Sequence, residues 1–115
     1  MMNALEREVE NICEEEAENY DDGIRGFIKD LHQGGCSSGL VGSLVYYSDT
    51  TEFYDKFENE IQELINNYTQ EFGYKNQLEF ISSLNGAENV YGNEQLKNLL
   101  AWFAFEETAF QLFDN

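Results

Sequence analysis

Proline is missing altogether from this chain, and Lys and Arg together number only 6 among 115 residues. Without proline, the residue that most sharply stops a helix, turns fall to Gly and Asn, as suits a helical protein. The shortage of Lys and Arg matters more. Against 23 Asp and Glu it leaves a formal net charge of −17 and a pI near 4.1. Such a field repels nucleic acid and anionic membranes and attracts basic protein surfaces. Direct nucleic-acid binding and membrane binding are therefore excluded from the reading, and a basic protein that itself binds DNA or RNA fits it.

Cysteine is nearly as scarce. Cys13 and Cys36 make no disulfide framework, no apolar leader precedes them, and no apolar run nears the ~20 residues that span a bilayer. The expectation is a cytoplasmic protein with reduced thiols. A single histidine, His32, cannot supply the two Glu-x-x-His pairs of a di-iron bundle. Around Asp21-Asp22-Gly23 the alternating acidic ligands and closing glutamate of an EF-hand are absent. No metal and no cofactor are expected.

What remains is ample for a core. Hydrophobic residues make up 42 %, with nine Phe, seven Tyr and one Trp, too apolar for a disordered chain. The length suits one domain, spanning residues 1–115.

Periodicity assigns that domain to the all-α class. Leu5, Val9, Ile12, Cys13, Ala17 and Tyr20 recur at helical spacing behind Asn3, a residue suited to an N-cap. Asp21 and Asp22 open a second helix carrying Ile24, Phe27, Ile28 and Leu31, which Gly34 and Gly35 stop. Asp49-Thr50-Thr51-Glu52 has capping-box spacing and begins a helix with Phe53, Phe57, Ile61, Leu64, Ile65, Tyr68 and Phe72 along one face. Gly73 ends it, and a shorter helix carries Leu78, Phe80, Ile81 and Leu84. A Gly- and Asn-rich loop follows from Asn85 to Asn93. The last helix, about Glu94 to Phe113, is apolar nearly all round between Leu96 and Phe105 and belongs at the centre. The expected architecture is a compact domain of five or six helices around an aromatic C-terminal one.

The stretch "CSSGLVGSLVYY", residues 36–47, invites catalytic readings. Gly35-Cys36-Ser37-Ser38-Gly39 matches G-x-S-x-G formally, but that elbow needs a preceding buried strand and a large sheet. Cys36 beside a helix N-terminus, with His32 four residues earlier as base, is the better chemical candidate. The Gly34-Gly35 break spoils that geometry, and cysteine is commonly buried. A phosphate loop lacks its lysine, since Gly42 is followed by Ser43. Small residues at Gly35, Gly39, Gly42 and Ser43 instead fit a closely packed core helix, with a buried strand over residues 40–47 as the alternative. No enzyme is read here.

The acidic residues cluster. Glu6, Glu10, Glu14, Glu15, Glu18, Asp21 and Asp22 crowd the N-terminal region, and Glu52, Asp55, Glu58 and Glu63 line the central helix. A duplex presents one phosphate charge about every 1.7 Å of axis, so a carboxylate-lined helix approximates its field. Like charges at i, i+4 cost roughly 0.2–0.5 kcal/mol per pair, so the row Glu6–Glu10–Glu14–Glu18 works against its own helix. That points to a selected surface field, beside the plainer reading of a solubilising coat. Glu106 and Glu107 interrupt the aromatic helix; one is expected to face solvent and the other to meet a lysine or a tyrosine hydroxyl.

Over "GCSSGLVGSLVYYSDTTEFYDKFENEI" and "LKNLLAWFAFEETA", about a third of the chain, the sequence resembles a family of small acidic proteins carried by phages, plasmids and integrated elements. The resemblance brings no catalytic residue with it. It implies a mobile-element origin, in a bacterial host cell, where small acidic proteins act as antirestriction or anti-CRISPR inhibitors. The function expected is a DNA-mimicking inhibitor that blocks the nucleic-acid-binding surface of a CRISPR effector or restriction enzyme. The alternative is an interaction module docking through the aromatic C-terminal helix.

Overall fold

Asn3 opens the first helix as its position suggested. Its Oδ1 accepts the Glu6 N–H at 2.8 Å, and the Glu6 carboxylate accepts the Asn3 N–H at 2.9 Å, a reciprocal capping box. The computed structural model describes residues 1–33, 50–84 and 86–113. These form α1 (Ala4–Ala17), α2 (Ile24–His32), α3 (Thr50–Lys56), α4 (Glu58–Glu71), α5 (Gln77–Ser82), a 3-10 turn (Ala87–Asn89) and α6 (Asn93–Phe113). Among the described residues there is no strand. The 36–47 stretch, with its helix and strand readings, lies outside them, as do Gly34, Gly35 and Asp49.

Asp21 and Asp22 do not begin α2. They lie exposed in the turn, and Gly23 holds the N-cap position at φ 62°, a left-handed value glycine adopts without strain. Tyr20 fixes the α1–α2 corner. Its hydroxyl donates to Asp30 Oδ2 at 2.7 Å and its ring meets Phe27 edge-on. Gly26 leaves room for that ring, since a Cβ there would lie 3.0 Å from Tyr20 Cδ2.

The central helix is two helices. At Phe57 (φ −115°, ψ 25°) the chain leaves helical geometry, and the Phe57 N–H is shared between the Phe53 and Tyr54 carbonyls at 3.2 Å each. Phe53, Phe57, Ile61 and Ile65 are all buried, so the apolar stripe runs unbroken across the joint. Helix α4 ends in a Schellman motif, with Gly73 N–H on Gln70 O at 3.2 Å and Tyr74 N–H on Thr69 O at 3.0 Å. Asn76 caps α5 by accepting the Glu79 N–H at 2.9 Å. In that helix Phe80 alone is buried, and Leu78 is 72 % exposed.

Helix α6 is central, as its all-round apolarity predicted, and packs on α1, α2, α3 and α4. Leu100, Ala101, Ala104, Phe105, Thr108 and Ala109 are buried along it. Phe105 joins Val9, Cys13, Phe27, Leu31, Ile61 and Ile65 as the largest fully buried side chains. Burying each apolar one is worth about 1.5–3 kcal/mol. On another side of α6, Tyr68, Phe80 and Phe103 meet pairwise in edge contacts at 5.4–6.2 Å. No described helix is long and apolar enough to cross a membrane.

Candidate acidic interface

The amphipathic period that buries Leu5, Val9 and Cys13 leaves none of the α1 glutamates buried. Glu14, Glu15 and Glu18 are exposed, and Glu6 and Glu10 half-buried. Glu6 is committed to the capping box and does not act as a free member of the row. The C-terminal turn of α1 is the most charged part. Glu14, Glu15 and Glu16 lie there, Glu18 is the C-cap, and the last turn holds no basic residue. Unpaired carbonyls give that end a partial negative charge that disfavours carboxylates. Asp21 and Asp22 continue the negative charge into the turn.

The second acidic group is divided by the Phe57 joint. Glu52 and Asp55 are exposed on α3, and Glu58 and Glu63 on α4, so they do not form one straight line. Asp55 is paired. Lys97 of α6 reaches its Oδ1 at 2.8 Å, and that bond raises the Lys97 pKa. Lys56 approaches Glu8 of α1 at 3.6 Å. Both pairs tie an acidic helix to a neighbour and remove part of the field there.

The structure brings Glu6 and Glu63 to one cleft that sequence spacing did not reveal. The cavity, about 280 Å³, lies between the start of α1, α4 and α6, with Glu60, Glu71, Asn67 and Gln111 on its walls and Leu5, Leu64 and Thr108 lining it. Glu60 and Glu71 were not singled out as site residues. They point this way because α1 packs against α4, a pairing separated by some 55 positions. Tyr68 completes the wall. Its hydroxyl donates to Glu107 Oε2 at 2.9 Å and accepts from Gln111 Nε2 at 3.0 Å. Desolvation and then the Glu107 carboxylate push the Tyr68 phenol up to about 12. Glu107 thus has the tyrosine partner that sequence reasoning allowed for.

Of the residues considered for catalysis, His32 is the one among the described residues. His32 ends α2 with its ring stacked on Phe110, centroids 4.1 Å apart and 6° from parallel. Cys36 lies outside the described residues. Cys13 is fully buried, and burial, with the nearby Glu14 charge, holds its thiol up at about 12, far from a reactive thiolate. Among the described residues no group of three or more His, Cys, Asp or Glu could hold a metal ion.

These features define a small acidic all-α protein whose surface chemistry is carboxylate. The chain belongs to the family described as Domain of unknown function (DUF7222), which it matches over residues 2–115. No curated protein and no solved structure matches it.

Proposed function

We propose that this protein is a non-enzymatic inhibitor, carried by a mobile element, that occupies the nucleic-acid-binding surface of a bacterial host defence protein such as a CRISPR effector or restriction enzyme. The observation that carries this reading is the C-terminal end of α1. There Glu14, Glu15, Glu16 and Glu18 crowd a helix terminus that holds no compensating cation in its last turn. Each of these charges costs the helix energy, through the macrodipole and through mutual repulsion. Carboxylates retained against local stability are best explained by a surface that meets cations. Asp21 and Asp22 extend that surface, and Glu52, Glu58 and Glu63 add to it from α3 and α4. Asp55, paired with Lys97, contributes less.

The partner is a basic protein surface, and binding involves neither direct nucleic-acid contact nor a membrane. Docking through α6 is less favoured because that helix spends its aromatic side chains within the domain, Phe105 fully buried and Phe103 held against Tyr68 and Phe80.

The test is competition. A purified restriction enzyme or CRISPR effector from a bacterial host is mixed with labelled duplex and titrated with this protein at 0.05 M and 0.5 M salt. Displacement of the duplex at low salt, weakened when Glu14, Glu15 and Glu18 become Gln, supports the reading. Binding that leaves the duplex in place, or that survives the triple substitution unchanged, overturns it.

A further inference from the structure

One helix stands apart from the acidic coat. Arg25, Lys29 and His32 fall at i, i+4 and i+7 of α2, on one face, and the six Lys and Arg of the whole chain supply two of the three. Lys56 and Lys97 each meet a carboxylate. Arg25 and Lys29 are exposed, and among the described residues neither side chain forms an ion pair or a hydrogen bond, although the chain has 23 acidic residues. Helix electrostatics account for only part of this. Lys29 and His32 lie in the last turn, where cations are favoured, but Arg25 is the second residue after the Gly23 cap, where a cation is disfavoured.

Both cations border a groove of about 660 Å³ lined by Ile24, Ile28 and Phe113 together with Arg25, Lys29 and His32. Ile28 is buried beneath it, and His32 is braced against Phe110. An apolar lining with a few convergent charged groups, in a concavity of about 300–1,000 Å³, is the general form of a small-molecule site. We propose that this groove binds an amphipathic organic anion, with its apolar body between Ile24, Ile28 and Phe113 and its carboxylate or sulfonate on Arg25 and Lys29. Arg25 offers a planar pair of donors and Lys29 a point charge. Both requirements must be met together. Over a protein of net −17 a bare anion gains too little from two exposed cations, and only a ligand that also buries apolar surface is retained.

The proposal is independent of the inhibitor reading and is tested without a partner protein. The probe is 8-anilinonaphthalene-1-sulfonate, whose fluorescence rises when it leaves water, with decanoate and inorganic phosphate as competitors at 0.15 M salt. The expected result is one saturable site whose affinity falls about ten-fold in the Arg25→Gln/Lys29→Gln variant and holds in Lys75→Gln, which removes an exposed cation elsewhere. Decanoate should displace the probe and phosphate should not. Glutamine suits helices and both positions are exposed, so the double variant should fold, with circular dichroism as the check. No saturable binding, equal binding in the double variant, an equal loss in Lys75→Gln, or displacement by phosphate alone would each overturn the proposal.

Discussion

Replacing Glu14, Glu15 and Glu18 with Gln should make the domain more stable while weakening its contact with a basic partner. The three side chains are exposed, so their removal disturbs no packing. Two i, i+4 repulsions, Glu10–Glu14 and Glu14–Glu18, disappear, at roughly 0.2–0.5 kcal/mol each. Relief of the macrodipole at the C-terminal end of α1 adds about 0.3 kcal/mol per charge at the low, exposed end of the range. The total is about 1–2 kcal/mol. For a domain of this size 1 kcal/mol moves Tm by about 4–8 °C, so thermal melting followed by circular dichroism at 10 mM salt resolves the change. Screening shortens to about 3 Å at 1 M salt, and the difference between variant and parent should then shrink towards zero. A variant that melts at the same temperature or lower at 10 mM salt would refute the reasoning, because it would mean that these carboxylates have favourable partners within the fold.

Three further outcomes follow from the interior. Tyr20 and Tyr68 have phenols held up at about 12, against an ordinary 10.0, by desolvation first and then by their bonds to Asp30 and Glu107; in the unfolded chain they ionise earlier, so their contribution is complete below pH 10 and lost as pH rises towards 12. Urea midpoints should fall across that window, and less steeply in Tyr68→Phe. Phe105→Ala should cost about 3–5 kcal/mol in urea unfolding, because the ring is fully buried in the helix that four others pack against. In a Cys36→Ala background, Cys13 should resist a thiol reagent at pH 8 and react at the rate of unfolding; prompt labelling would show that its burial and raised pKa are wrong.

Much of the fold could be read from the chain because its signals are local. Asn3 with Glu6 three residues on is a capping box in sequence and in space, and Gly73 marks the end of α4 through a left-handed turn that other residues adopt at a cost. The all-round apolarity of 96–105 placed α6 at the centre without any knowledge of its neighbours. The Phe57 joint was not legible, since Phe53, Phe57 and Ile61 keep perfect helical spacing and the interruption lies in the backbone hydrogen bonds. Nor was the exposure of Leu78, because a helix of six residues offers too few turns for periodicity to choose a face. The acidic surface was legible as composition but not as a map. Which carboxylates are spent on Lys97 or on the Asn3 cap, and which gather in the cleft, depends on contacts between distant segments. Asp55 and Lys97 are 42 positions apart, and no pattern within either segment announces the pair.

The sole tryptophan gives the domain an optical property. Trp102 lies on α6, and its indole Nε1–H is buried with no hydrogen-bond partner among the described residues. An indole without a polar partner emits at the short-wavelength end of the tryptophan range, and water shifts that emission to the red. Tyrosine emission lies at shorter wavelength, so the one tryptophan can be excited and read apart from the seven tyrosines of the chain. The spectrum of this protein is therefore a single-site readout of the helix on which α1, α2, α3 and α4 converge, and it reports opening of that helix from its surroundings without any added label.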